Sequence, residues 1–352
     1  MSTATTLRAA PVATGETVKR WAPWAILVGG VIVLQLAFSG AETFPARLDS
    51  LLEDPIDDAG GWMRANRLTH PLFTSFFTPI SDAVGWVISS ITDLLLWLPW
   101  YVVIASAAVF PARKRRWLDT AVVVAALGYC GAIGLWVPSM QTLALMSASV
   151  LLAVIIGVPL GIWGAVNPTV ERVTRPLLDA MQTVPAFVYF LPLFILFGIG
   201  NVPGAVATVI YALAPVVRLT TLGIKRVPAD AVEASEMYGA SGFQTMVKVK
   251  LPMALNTIMT SLYQTVMMAL GIVVLATLVG ARGLGSPVLE SLNQRRMGRG
   301  IAAGLAIVAI AVVLDRIWRS MADRDPIRRV PVRTVLIGLA LIAVATVVGR
   351  AS

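Results

Sequence analysis

The stretch "EASEMYGASGFQTMVKVKLP", residues 233–252, sets Glu233, Glu236, Lys248, Lys250 and Gly239 between two apolar runs. Crossing a bilayer takes about 20 such residues at about 1.5 Å rise each. A charged segment at this place does not face lipid, so it forms a water-exposed connection. Its residues describe a structured one. Pro228 suits the first helical position, and Asp230 and Glu233 lie towards the positive end of the helix dipole. The spacing predicts a short helix over 228–238, stopped by Gly239 in the left-handed conformation. Ser241 then caps a second helix that runs through Leu251 and Pro252 into the next span. Ala231, Ala234 and Tyr238 recur at helical spacing with Ser235 beside them, a small face suited to close approach. Composition alone also permits a plain solvated link.

Of 352 residues, 57% are hydrophobic and 13% charged, with a mean hydropathy of +0.80. Soluble domains carry about 25% charged residues, so the chain belongs to the membrane class. The net charge of +9 reads as Lys and Arg anchoring cytoplasmic loops. No basic stripe with interleaved aromatics accompanies it, which argues against nucleic acid as a partner. One cysteine, Cys130, and one histidine, His70, make neither an internal disulfide nor a zinc site. The sequence has no GxxxxGK[ST] loop and no Ser/His/Asp or Cys/His arrangement. No catalytic residue, cofactor or metal is therefore expected.

Apolar runs predict spans near 24–40, 91–110, 118–137, 142–166, 186–199, 203–223, 256–280 and 301–318, with a short ninth at 334–349. The expected organisation is a tail (1–21), an anchor (22–40), an external acidic loop with interfacial helices (41–90) and accessory spans (91–137). A core (138–320) with a cytoplasmic loop (224–255) follows, then a basic loop and last span (321–352). Residues 22–40 also share the pattern of a cleavable signal peptide. Seven acids against three arginines place 41–90 outside, and the basic run 113–116 places the next turn inside. Counting from there puts the N-terminus, 171–175, the opening stretch and Arg319 inside. Arg282, Arg295, Arg296 and Arg299 fall outside, against the trend.

The opening residues resemble a known pattern: Glu-Ala-Ala, three residues, Gly, nine residues, Ile-x-Leu-Pro. Here Glu233, Ala234, Ser235, Gly239, Val249, Leu251 and Pro252 stand at matching positions, with Ser235 replacing Ala and Val249 replacing Ile. This is the signature of permease subunits of bacterial ABC importers. "RPLLDAMQTVPAFVYFLPLFILFGIGNVPG" (175–204), "RVPADAVEAS" (226–235), "GLG" (283–285) and "LDR" (314–316) resemble the glycine betaine/proline betaine permeases. The resemblance covers about residues 135–320. It implies an all-α, polytopic membrane helix bundle, the type I ABC importer (MetI-like) transmembrane domain with added N-terminal and C-terminal spans. It also implies a bacterial inner membrane, two ABC ATPase subunits, an external substrate-binding protein and a second copy of the chain. The contact with the ATPase would be carried by Pro228, Asp230, Glu233, Ala234, Ser235, Tyr238, Gly239, Leu251 and Pro252.

Polar side chains within spans are costly in lipid and so mark a lined pathway. Gln182, Thr183, Tyr189, Tyr263 and Gln264 qualify, with Met181, Met268 and Trp136 as polarizable or aromatic neighbours. Aromatic faces hold a quaternary ammonium at about 0.5–2 kcal/mol per contact. Each residue taken singly reads equally as packing or a headgroup anchor. The alternative function is an ion-driven secondary transporter, which usually needs a mid-span carboxylate. Asp179 and Asp315 stand near span ends.

Overall fold

A computed structural model describes residues 15–37 and 49–322, and among them every regular element is helical. The expected last span at 334–349 and most of the 1–21 tail lie outside the described residues. The chain divides into two compact units at Gly61 and Trp62. The first holds α1 (Gly15–Ala37), an apolar helix with exposed Trp24, Ile26 and Leu27, and most of α2 (Asp49–Asn66).

In the second unit, after the end of α2, a π-turn, Phe73–Phe77, leads into α3 (Thr78–Trp97). Pro79 falls in the first turn of α3, directly after the π-turn, and the two run on as one helix over Phe73–Trp97. α4 (Trp100–Ala112) and α5 (Trp117–Ala132) follow as a hairpin. The span expected at 91–110 is therefore two helices. Pro99 lacks an N–H and forces Leu98 to an extended ψ of 136°, which breaks the helix.

The core starts with α6 (Trp136–Val166). After it, α7 (Pro168–Thr183) is capped by Asn167, whose side chain accepts from the Thr169 and Val170 amides. A 3₁₀ turn, Ala186–Tyr189, leads into α8 (Phe190–Phe197), bent 102° from α7. The expected fifth span is thus a short helix behind an elbow, because Val184 before Pro185 is held extended. Gly198, at φ +83°, turns the chain, and a Cβ there would stand 2.6 Å from the Arg67 guanidinium. α9 (Asn201–Lys225) then returns through the bundle.

α9 lies against α6 because α6 has no side chains in the way. A Cβ on Gly161 would meet Thr220 Cβ at 2.6 Å, and one on Gly157 would meet Val216 at 2.8 Å. The closeness lets Thr221 donate to the Gly161 carbonyl at 2.9 Å. Small residues drive such contacts in membranes, where no hydrophobic force separates lipid from helix.

The remaining elements are α10 (Ala229–Met237), α11 (Gly242–Thr245), α12 (Leu251–Leu275), α13 (Gly285–Asn293) and α14 (Met297–Ala322). Helical structure runs unbroken over Gly242–Val279, so the seventh span begins earlier than apolarity suggests. Among the described residues five helices are long and apolar enough to cross a membrane, six if the α7–α8 pair is one span.

Contacts sort the helix ends into two sets. Glu171 pairs with Lys225 and Asp179 with Arg218, which joins α7 to the end of α9. Asp119 at the start of α5 pairs with Arg316 near the end of α14 at 3.0 Å. At the opposite end, the Thr142 hydroxyl accepts from the Leu284 amide at 2.8 Å, and Asn201 accepts from the Arg282 amide at 2.8 Å.

Gly161→Val overpacks the α6–α9 contact, which costs about 1–3 kcal/mol. We expect its thermal midpoint in detergent to fall by about 2–10 °C. Gly128→Ala, inside α5 where a Cβ meets nothing within 4 Å, should leave the midpoint unchanged or raise it slightly.

Candidate functional site

The segment between α9 and α12 projects from the bundle as two short helices and a joint. Pro228 is the N-cap of α10, with ψ 135°, so the helix begins one residue later than the spacing suggests. At the other end the Ala240 amide donates to the Ser235 carbonyl at 3.1 Å and the Gly239 amide to Glu236 at 2.8 Å. These two bonds form a Schellman cap, with Gly239 at φ +79° in its left-handed position. Two residues on, the Ser241 hydroxyl accepts from the Gln244 amide at 3.3 Å, and Gln244 Oε1 accepts from the Ser241 amide at 2.9 Å. This reciprocal capping box starts α11 at once.

Ser235, the departure from the family pattern, has a visible task. Its hydroxyl lies 2.8 Å from the Val232 carbonyl and 3.0 Å from Thr245 Oγ1, and Thr245 is buried. That bond clamps α10 to α11 across the glycine. A π-turn, Met246–Lys250, carries the helix on to Leu251 and α12. Met246 and Leu251 pack against buried Ile224, Ala254 and Ile258, with Val158, Ile162 and Ala165 of α6 beside them. The joint is thus seated on α6, α9 and α12 together.

Three large apolar or aromatic side chains project at the tip. Met237, Tyr238 and Phe243 are 88%, 93% and 78% exposed. Asp230, Glu233, Ala234 and Pro252 are also exposed, whereas Ala231, Ser235 and Leu251 are half-buried. The exposed surface therefore includes Tyr238 and Ala234 as read from the spacing. It also includes Met237 and Phe243, which that reading missed. Phe243 was recognisable as a large apolar residue just after a helix N-cap.

The pathway candidates lie on four elements: α6, α7, the 3₁₀ turn before α8, and α12. Met181 packs with Leu178, Ala214 and Val217, while Gln182 and Thr183 end α7 beside it. Tyr189 donates its phenol proton to the Met181 carbonyl at 3.0 Å and so closes the α7–α8 elbow. Tyr263 donates to Asp315 Oδ1 at 2.9 Å, and Arg319 also binds Asp315 at 2.9 Å. Gln264 is exposed and Met268 half-buried on the same helix. Trp136 is elsewhere, at the start of α6 against the cluster that holds Leu127 and Cys130. Among the described residues no group of three His, Cys, Asp or Glu side chains is placed to hold a metal.

The family described as "Binding-protein-dependent transport system inner membrane component" matches residues 157–324, from the second half of α6 through α14. The glycine betaine/proline betaine transport system permease protein ProW of Escherichia coli (strain K12) is 42% identical over 279 residues. Those residues are 78% of this chain and 75% of the relative. The glycine betaine transport system permease protein OpuAB of Bacillus subtilis (strain 168) is 41% identical over 273 residues, 77% of this chain and 94% of the relative. The glycine betaine/carnitine transport permease protein GbuB of Listeria monocytogenes serotype 1/2a (strain 10403S) is 40% identical over 256 residues, 70% of this chain and 89% of the relative.

Ser241→Ala removes one half of the capping box, a loss of about 1 kcal/mol. Amide exchange at Gln244, whose N–H donates to the Ser241 hydroxyl, should accelerate about fivefold, with α9 unaffected, as read by hydrogen–deuterium exchange.

Proposed function

Because this chain belongs to the family of inner-membrane components of binding-protein-dependent transport systems, we propose that it carries glycine betaine or a related quaternary amine as the permease subunit of an ATP-driven importer. ATP is hydrolysed on separate ATPase subunits, since the sequence has no phosphate-binding loop of its own. The observation that supports this reading is the capped, apolar-tipped joint at residues 228–252. Covering Met237, Tyr238 and Phe243 gains about 1.5–3 kcal/mol per side chain, which suits a groove on a partner protein.

In this mechanism α10 docks in the ATPase, and closure of two ATPases moves it as a rigid element. The Ser235–Thr245 clamp and the unbroken helix into α12 transmit that movement to the bundle. Two copies of the chain face each other, each with its own α10. The N-terminus and the α10 end face the cytoplasm, and the end carrying α13 faces an external binding protein that supplies selectivity. Tyr189 and Tyr263 have their phenol groups engaged, so what each offers a passing quaternary ammonium is its ring face.

The ion-driven alternative is disfavoured by pairing. Asp179 is held by Arg218, and Asp315 by Tyr263 and Arg319, so neither is a bare carboxylate awaiting a cation.

The test uses this chain co-expressed with a betaine-type ATPase subunit. Gly239→Pro cannot adopt φ +79° and loses the amide that bonds Glu236, while Tyr238→Asp places a charge at the tip. Both variants should insert normally, recover at least tenfold less ATPase and lose ATP-dependent uptake of radiolabelled glycine betaine. Wild-type recovery and uptake in both would overturn the proposal.

A further inference from the structure

Two successive residues of α14 bind two different helices, as neighbours about 100° apart on a helix can. Asp315 accepts the phenol proton of Tyr263 on α12 at 2.9 Å. Arg316 reaches Asp119, on the first turn of α5, at 3.0 Å. Each junction is reinforced from its own side. Arg319, one turn along α14, holds the Asp315 carboxylate at 2.9 Å, and Arg116 stands 3.7 Å from that of Asp119. Both carboxylates are half-buried, and among the described residues the buried Nε of Arg316 has no acceptor. Ionised groups inside a bundle are costly, and apolar side chains of similar volume hold two helices together as well or better. α5 and α14 already share such packing: Val123, Leu127 and Cys130 lie in one cluster with Ala303, Ala306, Ile310 and Val313. The polar contacts are therefore not needed merely to keep α5 on α14. What they add is direction and register.

The row Tyr263–Asp315–Arg316–Asp119 joins three helices, and one of them is the helix that the α10–α11 joint leads into. Helical structure runs unbroken over Gly242–Val279, so a push on the joint travels along α12. A rod pushed at one end tilts only if another point of it is held. α9 is no such point, because Gly223 sets it against Thr257 and Ala254 of α12, while Gly157 and Gly161 set it against α6. Packed that closely, the three helices move as a block. The polar row holds α12 from outside the block, about three turns beyond Leu251. We propose that α14 is a brace: through Tyr263–Asp315 and Arg316–Asp119, acting in series, it holds α12 against the α4–α5 hairpin, so that movement of the joint becomes a tilt of α12. Asp315 and Arg316 are then positioning residues that act on transport through α12. This rests on the importer reading and gives the hairpin, which precedes the core, a part in coupling.

The test is ATP-dependent uptake of radiolabelled glycine betaine by the full-length chain, reconstituted with a betaine-type ATPase subunit and an external binding protein. Tyr263→Phe keeps the ring and breaks the first link. The paired change Asp119→Leu with Arg316→Met replaces the second link by an apolar contact, so its thermal midpoint should not fall below that of the wild type. Each should slow uptake about fivefold at equal inserted protein, with recovery of the ATPase unchanged. All three changes together should also slow it about fivefold, because links in series fail together, whereas independent contacts would multiply to about 25-fold. Asp119→Asn weakens the second link with the least change of shape and should slow uptake twofold or more, so the test survives misfolding of the paired variant. Arg299→Gln, at the other end of α14, should match the wild type. Losses that multiply, or wild-type uptake after either link is broken, would overturn the brace while leaving the importer reading standing. A wild type that takes up no glycine betaine would overturn both.

Discussion

Gly157, Gly161 and Gly164 let α9 approach α6 until backbone and side chain bond directly, as Thr221 does with the Gly161 carbonyl. Lipid tails are as apolar as leucine, so membrane helices gain little by merely hiding from water. They hold together by dispersion and by bonds that only close approach permits. The same device recurs on the other face of α9. Gly223 meets Thr257 and Ala254 of α12, and Gly204 meets Ala276. α9 is therefore the packed axis of the core, with α6 on one side and α12 on the other.

That axis is joined directly to a nine-residue helix outside the bundle. α10 leaves from the end of α9 and returns into α12, and Met246 and Leu251 pack in a cluster fed by α6, α9 and α12. The glycine joint supplies direction, the Schellman cap and capping box supply stiffness, and the Ser235–Thr245 bond ties the two short helices together. A connection meant only to link two spans needs none of these bonds.

Much of this joint was legible in the sequence because its determinants are local. Gly239 and Ser241 announce a stop and a start within three residues, whatever the rest of the chain does. Span boundaries were harder. Apolarity continues across Leu98 and Pro99, so composition does not reveal the break there, whereas the backbone rule for residues before proline does. The charged face of α7 hid it from hydropathy, and with it the elbow before α8. The pathway residues were least legible. A tyrosine in a span advertises that its hydroxyl needs a partner, but Asp315 lies 52 residues from Tyr263. Only packing brings the two together.

If an ATPase subunit covers the tip of the α10–α11 joint, single cysteines placed there become shielded from labelling. Cys130 is buried and is replaced by serine, after which Met237→Cys, Phe243→Cys and Leu292→Cys are made separately, the last on exposed α13 at the opposite end. With bound ATPase, maleimide labelling at 237 and 243 should fall at least tenfold while 292 labels as before. Unchanged labelling at 237 and 243 in a complex that still contains the ATPase would contradict the account.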